Sequence, residues 1–266
     1  MTNYDLRITN FKSRKKRSGY LFVIRLSILA VGLLTLIFYL GAQDIWEAPL
    51  DESKFTFARI FFESPMGRRF MGPVGEGSGP PWSHDFPRAE EHLMKIVAEV
   101  TKLEVNPSGH IVSFQSDECF KYPIAYLCEV GYMDLSDEEV RRMAEYLLRG
   151  GFLIVDDFRG MREWNNFRYQ MQRVFPDRTL EELPNTHEIW KCFYDISDLS
   201  IIPPYDFLPP QYFGISDDSG RLMMVVDFNN DIAEYWEWSN DPFTPIEESN
   251  EAYKYGVNYI MYALTH

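Results

Sequence analysis

Cysteine is scarce in this chain of 266 residues: there are three, Cys119, Cys128 and Cys192, and no two have CxxC spacing. An odd number cannot pair completely, so a fold stapled wholly by disulfides is excluded. One disulfide with one thiol left over stays open, but three buried, unpaired cysteines are the simpler expectation. Nucleotide-binding loops are missing too. Neither GxGxxG nor a P-loop Lys-Ser/Thr occurs. The glycine-rich run MGPVGEGSG, close to Arg68 and Arg69, therefore lacks the features of a phosphate cradle. No second His follows His187-Glu188 in HExxH spacing, which excludes that zinc motif. Internal repeats and low-complexity blocks are also absent.

Positive charge runs out early. Residues 1–25 hold seven Lys/Arg and one Asp, whereas the remaining chain holds 19 Lys/Arg against 39 Asp/Glu. So acidic a body argues against nucleic acid and anionic lipid as ligands. What the front does carry is a basic cluster, Lys12 and Arg14 to Arg17, followed by an apolar run from Tyr20 to Leu40 broken only by Arg25. A bilayer-spanning helix needs roughly 20 residues, and the Arg25 stem can snorkel toward the headgroups. The charge order predicts a single-pass signal anchor in the cytoplasmic membrane, N-terminus inside, with the remainder periplasmic or extracellular. The alternative is a cleaved signal peptide with Leu26 to Leu40 as its apolar core, releasing a secreted protein near Ala42. The expected organisation is a basic cytoplasmic tail at 1–19, a transmembrane segment at 20–42, a linker at 43–53 and one domain at 54–266.

Within that domain, Phe55 to Phe62 reads as the first strand. A Gly/Pro-rich loop from Ser64 to Pro87 follows, long enough to be functional or disordered. Helical periodicity runs from Arg88 to Lys102. Short strands are expected at Ile111 to Phe114 and Tyr122 to Glu129. Ser136 and Glu139 form a capping box opening a helix that runs to Leu148 and stops at Gly150-Gly151. Phe152 to Val155 is a continuous apolar strand ending in Asp156-Asp157. Asn165 to Val174 reads as a helix, Arg221 to Phe228 as a strand and Glu251 to Leu264 as a closing helix, while Thr186 to Tyr194 is ambiguous. Apolar strands alternating with amphipathic helices predict an α/β fold, a doubly wound and mostly parallel sheet covered on both faces.

The ordered runs FTFARI, WSHDFP, YPIAYL, LLRGGFLIVDDF, HEI, GRLMMVVDFNND and YGVNYIMYALT, from Phe55 to the C-terminus, resemble the DUF4159 family. The resemblance implies a glutamine-amidotransferase-like, flavodoxin-like fold in exported or membrane-anchored bacterial proteins. It implies no reaction, because that family's function is itself unknown. Enzymes of the amidotransferase-like fold carry a Cys or Ser nucleophile at the elbow after the strand that follows the Gly-Gly turn. Here those positions read Asp156, Asp157, Phe158, Arg159 and Gly160, and Asn229-Asn230-Asp231 stands where related folds have Gly-His. A Cys-His-Glu triad is not expected.

Ligands on such sheets bind beyond the carboxyl ends of the strands. Asp156, Asp157, Asn229 and Asp231 are therefore candidate ligand residues, able to hold a divalent cation or orient a polar ligand. Equally, one Asp can cap a turn or helix while the other pairs with Arg159 or Arg162, and Asn229 can be a turn former. Trp82, His84 and Asp85 close the long loop. His84 beside Asp85 can act as a base or metal ligand, or Asp85 can cap the helix while Trp82 anchors the loop. Tyr235, Trp236 and Trp238 interleave with Glu234 and Glu237, as in a patch that stacks on sugars or contacts a partner, or in a half-buried strand or loop edge. The leading expectation is a binding module for an envelope protein or carbohydrate-like ligand; the alternative is a metal-assisted hydrolase using the strand-end carboxylates. No cofactor is named by the sequence.

Overall fold

Three runs are buried from end to end: Ile124–Cys128, Phe152–Phe158 and Leu222–Phe228. Continuous burial is what a parallel strand shows when helices cover both faces of its sheet. The computed structural model describes residues 50–64, 79–200 and 208–266. The expected transmembrane segment at 20–42, together with Arg68 and Arg69, lies outside the described residues, among which no helix is long and apolar enough to cross a membrane. The domain runs from Glu52 to His266.

Its sheet has seven strands: β1 (Ala58–Phe61), β2 (His110–Ser113), β3 (Ile124–Cys128), β4 (Phe152–Phe158), β5 (Glu181–Glu182), β6 (Gln211–Ser216) and β7 (Leu222–Phe228). The spatial order is β2-β1-β3-β4-β7-β6-β5. The first five in that order run parallel, and β6 and β5 complete one edge antiparallel. Among the described residues five helices accompany them: α1 (Arg88–Val100), α2 (Asp137–Leu148), α3 (Gly160–Val174), α4 (Ile232–Glu237) and α5 (Ile246–Thr265). Alternation along β3 sorts the two faces. Ile124, Tyr126 and Cys128 join a core with Leu93, Val97, Trp236 and Tyr259, which belong to α1, α4 and α5. Ala125 and Leu127 join a second core with Met143, Leu147, Phe167 and Met171 of α2 and α3. The sheet is thus wound on both sides, as its apolar strands predict.

The Ser136–Glu139 capping box forms as expected, with Ser136 accepting from the Glu139 N–H and Glu139 accepting from the Ser136 N–H. A cap of this kind is worth about 1 kcal/mol. Elsewhere the structure corrects the reading. The β-prone run from Phe55 narrows to Ala58–Phe61, with Phe55 making a separate bridge to Val105. Strands β6 and β5 are absent from the sequence reading; β6 adds antiparallel to β7, and the two-residue β5 beyond it takes the sheet edge. The aromatic-acidic segment is helix α4 rather than a strand edge, and Tyr235 and Trp236 are buried in it. Trp236 donates to the Ala252 carbonyl at 2.9 Å, tying α4 to α5. The ambiguous segment forms a short 3-10 turn, Glu188–Trp190, that drives Trp190 among Tyr212, Tyr255 and Tyr259.

One buried carboxyl group sits in this core without full compensation. Asp227 of β7 accepts from the Tyr259 hydroxyl at 2.7 Å, yet its Oδ2 has no partner. Burial, then the charge of Asp156, pushes its carboxyl well above the ordinary value. The folded state therefore keeps this proton to a higher pH than the unfolded chain does. Stability from this group is full below the unfolded pKa and falls as pH rises toward the folded one. Asp227→Asn is expected to melt above the parent at about pH 8 and to match it near about pH 4. Melting curves across that range check this; a constant difference would refute it.

Candidate functional site

The chain does not end β4 at Val155. It continues through Asp156 and Asp157 to Phe158, and pairing with β7 slips on the way: Val155 faces Val226 and Phe158 faces Phe228. Two β4 residues thus stand opposite Asp227 alone, a bulge of the kind that re-aims a side chain. Asp157 absorbs the extra residue with φ of 52°. Only three other non-glycine residues among the described ones lie in the left-handed region: Asp85 at 63°, Glu129 at 51° and Asn229 at 58°. Each follows a strand or closes the loop before α1. Strained residues cost of order 1 kcal/mol each and gather where a site demands a particular aim.

Three of the four meet. His84 Nδ1 lies 2.7 Å from Asp157 Oδ2 and 3.4 Å from Asp85 Oδ1. Arg159 Nη2 donates to Asp157 Oδ1 at 2.8 Å and to Asp231 Oδ2 at 3.4 Å. Oxygens of Asp85, Asp157 and Asp231 come within 4.8 Å of one another, as do ligand atoms of His84, Glu129 and Asp157 and those of His84, Asp85 and Glu234. Asp85, Asp157 and Asp231 are buried, whereas the His84 and Arg159 side chains keep 29% and 30% of their surfaces exposed. The carboxylates form the floor, and the two cations lie nearer solvent.

Electrostatics divides these acids into distinct roles. Burial alone would raise Asp157, but its hydrogen bond and charge contact with His84, then Arg159, hold it below the ordinary range. His84 is the converse: burial would lower it, and Asp157 with Asp85 raises it to about 10. Asp85 and Asp231 are pushed well up, by burial first. Glu129 is lifted to about 8 by burial and the Asp157 charge. The ground state is an ionised Asp157 clamped between two cations, surrounded by acids that resist ionising.

Adjacent side chains on β4 diverge, as strand geometry requires. Asp156 turns to the opposite face, where its Oδ2 accepts from the Tyr126 hydroxyl at 2.8 Å and from the Ile232 and Ala233 N–H groups at 2.9 and 3.1 Å. It serves as a buried anchor for the start of α4. Asp231 caps the same helix, accepting from Glu234 N–H at 3.2 Å, and still turns its other oxygen to the cluster. Asn229 is a left-handed turn residue whose Oδ1 accepts from Gly160 N–H, fixing the start of α3. Asp85 does not cap α1. Pro87 occupies that position without a side-chain cap, and neither Asp85 oxygen has a hydrogen-bond donor. Trp82 packs on Phe61 with rings 5.4 Å apart and anchors the loop.

Sequence reasoning missed Glu129, and named Glu234 only within the aromatic-acidic patch, not with the strand-end carboxylates. Glu129 directly follows the continuous strand β3, and the strand-end rule that selected Asp157 selects it equally. Also missed was Arg59, which is buried and pairs with Glu90 beside the switch between β1 and β3. A groove of about 1060 Å³, lined by Tyr194, Asp198, Tyr235, Glu247 and Tyr253, includes none of the clustered groups. The chemistry lies elsewhere.

No thiol serves this site. All three cysteines are free; Cys119 and Cys128 are buried and Cys192 partly so. Cys128 Sγ sits 2.8 Å from Arg59 Nη1, but burial outweighs that cation and pushes the thiol well up. Burial also lifts Cys119 and Cys192 to about 11. Reagents that attack thiolates are expected to label the native protein slowly at about pH 8 and all three thiols once it unfolds. Rapid stoichiometric labelling of native Cys128 would contradict this.

No curated protein matches this chain. A family model does: that of a domain of unknown function, DUF4159, matches residues 72–264, and the chain belongs to that family.

Proposed function

We propose that this chain is a membrane-anchored envelope protein whose α/β domain binds a cationic or hydrogen-bond-donating ligand, such as a carbohydrate or an amine, at the ends of β3, β4 and β7. The anchor is residues 20–42, on the length and charge order of that segment. One observation carries the ligand reading. The β4 bulge turns Asp157 into the cluster where strained Asp85 and Glu129 also converge, a backbone cost that packing alone does not require. The elbow bears a carboxylate in place of a thiol, so binding is favoured over amidotransferase-like chemistry.

A second reading, metal-assisted hydrolysis, draws on Glu129. A partly exposed carboxyl near pKa about 8 at the mouth of a carboxylate site suits proton transfer. A thermal-shift screen of the full chain with sugars, nucleotides and alkylamines tests the binding reading. Stabilisation that disappears in Asp157→Asn supports it. No shift with any compound, or shifts that survive the substitution, would count against it.

A further inference from the structure

We propose that Asp85, Asp157 and Asp231 form a site for one divalent cation of the hard, oxygen-preferring kind, Mg2+, Mn2+ or Ca2+. This inference rests on the reading of the strand ends as a ligand site and names the ligand. The decisive group is Asp85. Its residue is 5% exposed, and both carboxylate oxygens are buried without a hydrogen-bond donor. The nearest cationic atom, His84 Nδ1, is 3.4 Å from Oδ1 but is engaged by Asp157 at 2.7 Å. An unpartnered buried carboxyl costs several kcal/mol, so native folds retain one only where something else compensates it.

The surroundings specify what can. Oxygens of Asp85, Asp157 and Asp231 lie within 4.8 Å of one another, a spread that ligands bound at about 2.0–2.6 Å to one central ion can span. Three carboxylates without sulfur select hard cations over soft ones. Each ligand comes from a different, separately fixed piece of backbone: the loop before α1, the β4 bulge and the cap of α4. Glu129 lies within reach of Asp157, and Glu234 within reach of Asp85, so both can extend the coordination. Arg159 already contributes one positive charge shared between Asp157 and Asp231, which marks their gap as a place where cation density is favourable. Its side chain is 30% exposed, on the solvent side of the buried carboxylates.

The acidic surface of this domain will collect divalent ions loosely, so the experiment must separate a built site from diffuse binding. Full-length protein is titrated with Mn2+ while free Mn2+ is followed by electron paramagnetic resonance, with Mg2+ and Ca2+ as competitors. One Mn2+ per chain is expected. In Asp85→Asn, binding should weaken more than about 100-fold, beyond what loss of an outer partner does. Asp227→Asn removes a buried carboxylate held by Tyr259 instead, and should bind Mn2+ as the parent does. If Asp85→Asn loses its near-ultraviolet dichroism, Asp231→Asn takes its place. No stoichiometric Mn2+, or equal affinity in the parent and Asp85→Asn, would overturn the inference; the latter would mean that a proton alone compensates Asp85. If Mn2+ fails while an organic ligand still gives an Asp157-dependent shift, the cation falls and the ligand reading stands. If neither binds, both fall.

Discussion

Arg59→Met is expected to lower the unfolding free energy by about 3–5 kcal/mol, the range for breaking one side of a buried ion pair. Arg59 lies on β1 with 1% exposure and donates to Glu90 Oε1 at 2.6 Å. Its guanidinium carbon stacks 4.4 Å from the centre of the Tyr126 ring, and Nη1 approaches Cys128 Sγ at 2.8 Å. The other Glu90 oxygen already has no partner. Removing the cation therefore leaves a carboxylate in the core, where burial already lifts Glu90 above its ordinary value despite Arg59. The double change Arg59→Met with Glu90→Leu should recover most of the loss, since an apolar pair of similar volume avoids both desolvation costs. Urea unfolding of the two variants measures this. A single-variant loss under about 1 kcal/mol would show that the pair is not the buried contact described.

Asp156→Ala is the second large effect, expected at about 3 kcal/mol or more. Three donors lose their acceptor at once: the Tyr126 hydroxyl and the Ile232 and Ala233 N–H groups. All three belong to buried residues, and an orphaned buried donor costs about 1–3 kcal/mol. Asp156→Asn should cost far less, because its amide oxygen can still accept. It also removes an ionisation that burial and the Asp157 charge have displaced to about 6. The raised value means the acid form is favoured in the fold, so this group's stability contribution falls as pH rises from its ordinary range through about 6. Asp156→Asn should flatten the stability profile there. Chemical denaturation at several pH values checks both statements; equal losses for Ala and Asn would show that the acceptor oxygen is not what matters.

These two variants also separate the site from its support. Asp156 and Asp157 are neighbours in sequence, yet one holds α4 and the other faces His84 and Arg159. Both were legible as strand-end carboxylates, and so was a split in which one pairs with Arg159 while the other serves a helix start; which Asp takes which part, and that the helix is the distant α4, was not. It depends on a bulge against β7, which is a register slip between segments more than sixty residues apart. Asp85 shows the same limit from the other side. Its place before α1 suggested a helix cap, a local role, whereas the fold turns it inward and leaves its oxygens without donors.

The sequence by itself determined the alternation of apolar strands and amphipathic helices, the capping box at Ser136 and the family. These are written in local patterns: burial of both faces of a strand needs a continuous apolar run, and a cap needs two residues three apart. Tertiary structure alone decided the rest. Strand β6 forms because β7 offers it an edge, and Arg59 is buried because Glu90, thirty-one positions later in the chain, meets it. Asp85, Asp157 and Asp231 become one site because the ends of distant elements converge there, and convergence across a sheet is carried by packing and register, which no short run of residues encodes.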